Sequence, residues 1–559
     1  MPVRQLAVFF AVASLFYLLY TFVVPQILRF RFRGDLSWYD LGLHGFSPSR
    51  TYVSFRYTSP VVEISQYGSG CNPGLTFIAP RGHSIPHPGP MIMDARGDLV
   101  WMKHNLNVTQ DFKVQRYRGQ EYLTYWEGEE VDGRGRGTWY MLDQSYTKQF
   151  EIKPAGVLDG DLHEFQISKD DTALVTIYQA VTADLRPIGG PESGWIYDSL
   201  FQEIDIATGD LIFEWHASHH FPVDSTFEER KERGAEPDSA FDFFHINSID
   251  KDPQGNYLVS ARHTHTISQI DGTSGAVLWT LGGKLNEFTD QSDGAATNFS
   301  WQHDARWHGD KILTFLDNAA SSNDDLTAQS RAMVVELDIP TRQVQLRRAY
   351  YHPQEMKTLS QGNVQVLDGS GNIFVGWGHS AAFTEFDPDG TLLCDVHFGA
   401  SAYFTFGRVV SYRVFKGSWV GRPLEGPSAE VSQGSVFVSW NGATEVSHWR
   451  LDVGDGRSLE QVEFQPRALV EKRGFETKIP IPEDMPAPYF RLAALDSQNE
   501  VLGYSNILGE RLSFPREQPV SLAMWYWIST AFVFLAIGFL FKQMLSRRLT
   551  RVRNVKPQC

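Results

Sequence analysis

The chain has 559 residues, of which 42% are hydrophobic, 13% aromatic and 21% charged, so it has ample apolar area for a packed core and is neither a disordered nor a collagen-like polymer. That length allows several domains, or one large repeat architecture with an appendage. Fifty Lys and Arg against 66 Asp and Glu leave a net charge of −16, and an acidic body lacks the cationic footprint that phosphate binding demands, which excludes nucleic acid as a partner.

Residues 1–28 hold an apolar run from Leu6 to Val24 behind a lone Arg4 and ended by Pro25. This is the pattern of a signal peptide or an uncleaved signal anchor, and the residues do not separate the two. From about 50 to 422, sustained helical periodicity is missing. Short β-branched and aromatic runs alternate there with Asp, Gly, Asn and Pro, which predicts strands throughout. One unit recurs six times: an apolar residue, Asp, a short polar or glycine-containing turn, and a strand that often ends in an aromatic. Its aspartates are Asp94, Asp143, Asp205, Asp271, Asp338 and Asp387, spaced by 49, 62, 66, 67 and 49 residues. Such spacing suits four-stranded units with insertions, so the region 50–422 is predicted to be a six-bladed β-propeller.

Within that region Asn107-Val-Thr109 and Asn298-Phe-Ser300 match the glycosylation tripeptide. Gly133, Gly135 and Gly137 in DGRGRGTW read as a turn between strands, because no βαβ pattern surrounds them. The three cysteines are far apart in sequence, so neither a disulfide scaffold nor structural zinc is expected. Cys71 and Cys394 have the option of pairing in an oxidising compartment, which the sequence leaves open. After Pro423 the alternating runs SVFVSWNGA, SHWRLDV and YFRLAALDS predict an immunoglobulin- or fibronectin III-like β-sandwich over 423–510.

Val520 to Phe541 carries no formal charge over 22 residues, enough helix to cross a hydrocarbon core of ~30 Å, with Trp525, Tyr526 and Trp527 near one end. Lys542, Arg547, Arg548, Arg551, Arg553 and Lys556 follow with no acid, so 542–559 is predicted to be a basic cytoplasmic tail. The expected molecule is therefore all-β, a propeller then a sandwich, tethered by a C-terminal transmembrane helix. Its body lies in the secretory lumen or outside the cell.

A second pattern concerns histidines. His163 begins HEFQISKDDTALVTIYQ, His245 begins HINSIDKDPQGNYLVSAR, and His303 begins HDARWHGDKILTFLDN. Each precedes a polar turn by six or seven residues and a strand follows. Equivalent registers bring the three toward a central channel, and Arg262 follows His245 on the same unit. His263 and His265 fall on a predicted strand, on the face opposite Arg262, and no metal is expected there.

These residues carry a resemblance. Tyr52 to Arg422 is similar to the arylsulfotransferase family, in the branch common in fungi. The matching motifs are DLHEFQ at His163, FHINSID at His245, SARHTH at Arg262, WQHDARW at His303, FLDNAAS at Asn318, GWGHSAAFTEF at His379 and SYRVFKGSWVGRP from Ser411. The resemblance implies a six-bladed propeller that moves a sulfuryl group between small phenolic compounds through a sulfated histidine, with no nucleotide, metal or other cofactor. Carried onto matching positions, His303 is the implied nucleophile and His163, His245 and Arg262 surround the sulfuryl group, while His379 and Asn318 are implied substrate contacts.

The residue types suit that chemistry. A neutral imidazole can attack sulfur and expel a phenolate, which splits one transfer into two displacements. A planar guanidinium recognises paired oxygens better than an ammonium does. Two other classes stay open: a non-catalytic propeller that binds a glycan or protein, and a propeller enzyme using the same pocket for cyclisation or hydrolysis of a small metabolite.

Overall fold

None of the short apolar runs can bury itself alone, and the chain pairs them in antiparallel sheets that stack face to face. The computed structural model describes residues 36–319, 328–455, 462–481 and 489–509, with the isolated positions Ser14 and Tyr17. The segment 1–28, apart from those two positions, the span 520–541 and the tail 542–559 lie outside the described residues. Among the described residues no helix is long and apolar enough to cross a membrane.

Residues 63–417 form six sheets of four or five strands. The second sheet is Val108–Tyr117, Gln120–Val131, Arg134–Leu142 and Lys148–Ile152. The third starts at Phe165–Ile167, the fourth at Ile246–Lys251, the fifth at His303–His308 and the sixth at Asn363–Val366. The first sheet is composite: Leu75–Ile78, Met91–Met93 and Leu99–Met102 are completed by Val414–Gly417 from the far end of the region. Conversely, Glu63–Tyr67 joins the outer edge of the sixth sheet, beside Leu392–His397. The leading strands of successive sheets touch in a cycle that returns from the sixth to the first, the third sheet reaching the fourth through its second strand, Thr172–Ala183. This is an all-β arrangement of the propeller type. Trp126, Trp139, Trp215, Trp279 and Trp377 are fully buried within its core.

The repeated aspartates sit where the third strand of each sheet turns into the fourth. Asp94 Oδ1 accepts the N–H groups of Arg96 and Asp98, each at 2.9 Å. Asp143, Asp205 and Asp271 cap their own turns the same way. A short carboxylate that replaces missing backbone partners is what makes this turn recur.

Three leading strands carry a β-bulge near their start, between Gln110 and Lys113, Ile246 and Ser248, and His303 and Arg306. A bulge re-aims neighbouring side chains, as at His303 and Asp304, and residues adjacent in sequence serve two layers there and at two further positions. His163, His303 and Tyr412 face a pocket, whereas Glu164, Asp304 and Arg413 join a buried ion network. Arg413 pairs with Asp111 at 2.9 Å and Glu164 at 3.1 Å, and Lys113 bridges the same two acids. Burial pushes the Glu164 carboxyl up, but Arg306, Arg413 and Lys113 outweigh it and hold the group ionised.

Cys71 and Cys394, whose pairing the sequence left open, form a disulfide. It ties the entry to the first sheet onto the sixth. Nearby, His397 Nδ1 lies 2.7 Å from Asp40 Oδ1 and its Nε2 3.2 Å from Asp395 Oδ1, with His352 also against Asp395. Burial alone would lower the His397 pKa, yet Asp395 and Asp40 raise it to about 9. A raised histidine contributes stability in full below its unfolded value of about 6.5 and loses it as pH climbs toward 9. The melting temperature is therefore expected to fall between about pH 6.5 and 9. His397→Asn should be less stable at pH 6 and flat across that interval. A wild-type curve just as flat would contradict the assignment.

Residues 428–504 form two packed sheets. Ser428–Ser432, Ser435–Ser439 and Glu476–Pro480 make one, while His448–Asp455, Glu463–Glu471, Tyr489–Leu495 and Val501–Tyr504 belong to the other. Trp449, Val436 and Leu492 are buried between them. Glu476 fastens this sandwich to the propeller by accepting the N–H groups of Val53 and Ser54.

Candidate functional site

The histidines singled out by register meet in one place. His163 precedes the first strand of the third sheet, His245 that of the fourth, and His303 opens that of the fifth. Together with Arg262 they line a pocket of about 290 Å³. The His163 and His245 rings stand 4.6 Å apart between centroids, edge to face. His245 sits at a φ of 65°, a left-handed conformation that costs about 1–3 kcal/mol outside glycine and is retained where surrounding structure imposes it.

Each imidazole is oriented from behind. His163 Nδ1 bonds Asp161 Oδ2 at 2.6 Å and His245 Nδ1 bonds Asp242 Oδ2 at 2.6 Å. His303 Nδ1 lies 2.7 Å from Asn318 Oδ1. Asn318 Nδ2 donates to Gln361 O at 3.1 Å, which turns its oxygen toward the ring. Gln361 N–H in turn points at His303 Nε2 at 3.1 Å. Both ends agree: the proton is on Nδ1 and the lone pair on Nε2. Burial, followed by the nearby Arg262, pushes the His303 pKa well below the usual histidine range, and burial with His163 and Arg262 does the same to His245. Both rings are neutral at physiological pH.

Arg262 stacks over the Trp301 ring at 4.6 Å and donates to His263 Nε2 at 2.9 Å. Its Nε has no hydrogen-bond partner, and among the described residues no carboxylate pairs with it. The Arg262 guanidinium thus keeps an unused donor beside the neutral imidazoles of His245 and His303.

Several expectations need correction. Residues 262–265 are a turn between Tyr257–Ala261 and Thr266–Ile270, not a strand. His263 therefore lines the pocket alongside Arg262 instead of facing away from it. His379 does not line this pocket; it is half-buried against Gly407. Asn318 does not line it either and acts through His303.

Asp161, Asp242, Arg81 and Tyr412 were missed. For the two aspartates a signal existed, since DLH and DFFH place an acid two and three residues before the histidine. The DGRGRG turn also contributes. Gly135 N–H donates to Asp161 at 2.7 Å, and a Cβ there would lie 2.6 Å from Leu162 N. Glycine is what lets the histidine-bearing segment approach that strand.

Asp242, His245 and His263 converge closely enough to suggest a metal site. However, His245 Nδ1 faces the Asp242 carboxylate and His263 Nδ1 the Asp242 carbonyl at 2.7 Å. The nitrogens turned toward Asp242 thus carry protons and are not ligands. His352, Asp395 and His397 form another such cluster. Its His352 Nδ1 accepts Gln354 N–H, which leaves the proton on the nitrogen facing Asp395. The two tripeptide asparagines, Asn107 and Asn298, are exposed.

Fold and site together define a propeller-type protein with a polar, histidine-lined pocket at the entrance to its leading strands. The arylsulfotransferase (ASST) family model matches residues 113–399, and the chain belongs to that family. Among curated proteins none matches. Of solved structures, a protein of unknown function from Bacteroides caccae is 13% identical, covering 61% of this chain and 98% of its own, with a TM-score of 0.34. A protein from Lactobacillus plantarum is 12% identical, covering 73% and 97%, with a TM-score of 0.32. The Myceliophteria thermophila Cps50 (Swd1) β-propeller domain is 10% identical, covering 64% and 98%, with a TM-score of 0.30.

Proposed function

We propose that this chain is a six-bladed propeller enzyme that transfers a sulfuryl group from an aryl sulfate to a phenolic hydroxyl through a sulfohistidine at His303. The observation that carries this reading is the Arg262 guanidinium, whose Nε has no hydrogen-bond partner among the described residues, beside an imidazole whose lone pair is fixed on Nε2. In the first displacement His303 Nε2 attacks sulfur, the N–S bond forms, and the S–O bond breaks with its electron pair leaving on the phenolate. Arg262 holds non-bridging oxygens throughout. In the second, an acceptor hydroxyl attacks sulfur, the N–S bond breaks, and the hydroxyl proton passes to His163, which Asp161 orients.

Intact mass of the purified chain after treatment with an aryl sulfate and no acceptor tests this. A gain of one sulfuryl group is expected, discharged when a phenol is added. Donor cleavage with no such adduct would favour direct hydrolysis. Family membership and the oriented imidazoles favour the transfer reading over a purely binding role.

A further inference from the structure

Recognition of the rest of the substrate remains after the sulfuryl group has been placed. Pockets for aromatic ligands are lined mainly by apolar and aromatic side chains. Here the lining is charged or polar almost throughout, and Leu162 and Tyr412 are its chief apolar surfaces. Polar contacts therefore have to select the substrate.

Two lining groups are unused by the chemistry above. Tyr412 is 2% exposed, and its Oη has no hydrogen-bond partner. Burial pushes its pKa well above that of a free phenol, so it stays a donor. Arg81 also lines the pocket, and its buried Nε has no partner. Its Nη2 pairs with Glu130 at 3.2 Å, and Gln110 donates to the same carboxylate oxygen at 3.0 Å, so the Glu130 charge is already engaged. The Arg81 backbone exchanges both hydrogen bonds with Val410, at 2.9 and 3.0 Å, two residues before Tyr412. This bridge fixes the two backbone segments relative to each other. An unpaired buried donor is costly and is expected to have a ligand.

We propose that Arg81 and Tyr412 form a second anion subsite that takes a substrate carboxylate, so the substrates are phenolic carboxylic acids and their sulfate esters. An unpartnered N–H and an unpartnered O–H lining the same pocket suit the two oxygens of a planar carboxylate. The Tyr412 ring stands 6.5 Å from the His303 ring and 5.7 Å from that of His163, so the subsite borders the nucleophile and its neighbour. The direction of transfer rests on the function proposed above; the subsite itself does not.

The test compares 4-sulfooxybenzoate with 4-methylphenyl sulfate as donors for the full chain, in wild type, Arg81→Gln and Tyr412→Phe. Wild type should favour the carboxylated donor in kcat/KM by about tenfold or more, mainly through KM, and each variant should bring that ratio toward one. In parallel, calorimetry compares 4-hydroxybenzoate with p-cresol, which reads the subsite without turnover. If neither donor is cleaved, the sulfuryl-transfer reading fails. Preferential 4-hydroxybenzoate binding that is lost in the variants would still support the subsite. Equal handling of the two compounds by wild type, or an undiminished preference in both folded variants, would overturn it. Should Arg81→Gln fail to fold, Tyr412→Phe alone decides, since it removes a single oxygen.

Discussion

His303→Ala is expected to lower aryl sulfate cleavage by about 10⁴-fold or more and to abolish the sulfuryl adduct on the intact protein. Without the imidazole no N–S bond forms, so the second displacement has nothing to consume. His163 and His245 are poor substitutes, because Asp161 and Asp242 hold their rings by Nδ1 for other positions. Since burial and Arg262 keep the His303 pKa far below the ordinary value near 6.5, the wild-type rate should stay level as pH falls from 8 through 6.5. The variant should melt near wild type. Adduct formation by His303→Ala, with an unchanged pH profile, would move the nucleophile elsewhere.

Arg262→Lys should fold normally and turn over about 10²- to 10³-fold more slowly, equivalent to ~3–4 kcal/mol of transition-state stabilisation. Lysine keeps the charge but not the fork, so oxygen recognition suffers through geometry. The contact over Trp301 and the donation to His263 also belong to the planar group. Steady-state kinetics on purified variant settles the point. A loss below fivefold would show that Arg262 supplies charge alone.

Much of the scaffold was legible because its cause is local. An apolar residue followed by Asp predicts a carboxylate-capped turn from a few neighbouring atoms, and the turn recurs at the same hairpin of successive sheets. The shared register of His163, His245 and His303 was legible for the same reason. Arg81 and Tyr412 were not, since they meet through a bridge between Arg81 and Val410 that exists only once distant segments close the ring. His263 was misplaced because strand alternation was extended through four residues that turn instead. Asn318 was read as touching substrate, and the structure places its oxygen against His303 Nδ1.

The buried ion network also separates two hollows. Arg413, Glu164, Asp111 and Lys113 are paired with one another, Glu164 and Arg413 follow the pocket-lining His163 and Tyr412 in sequence, and Lys113 lines a second cavity of about 1260 Å³. A buried charge cluster thus lies between the histidine-bearing segment and that cavity. At about 290 Å³ the histidine pocket has the volume of one small molecule. On the mechanism proposed above, donor and acceptor would therefore occupy it in turn.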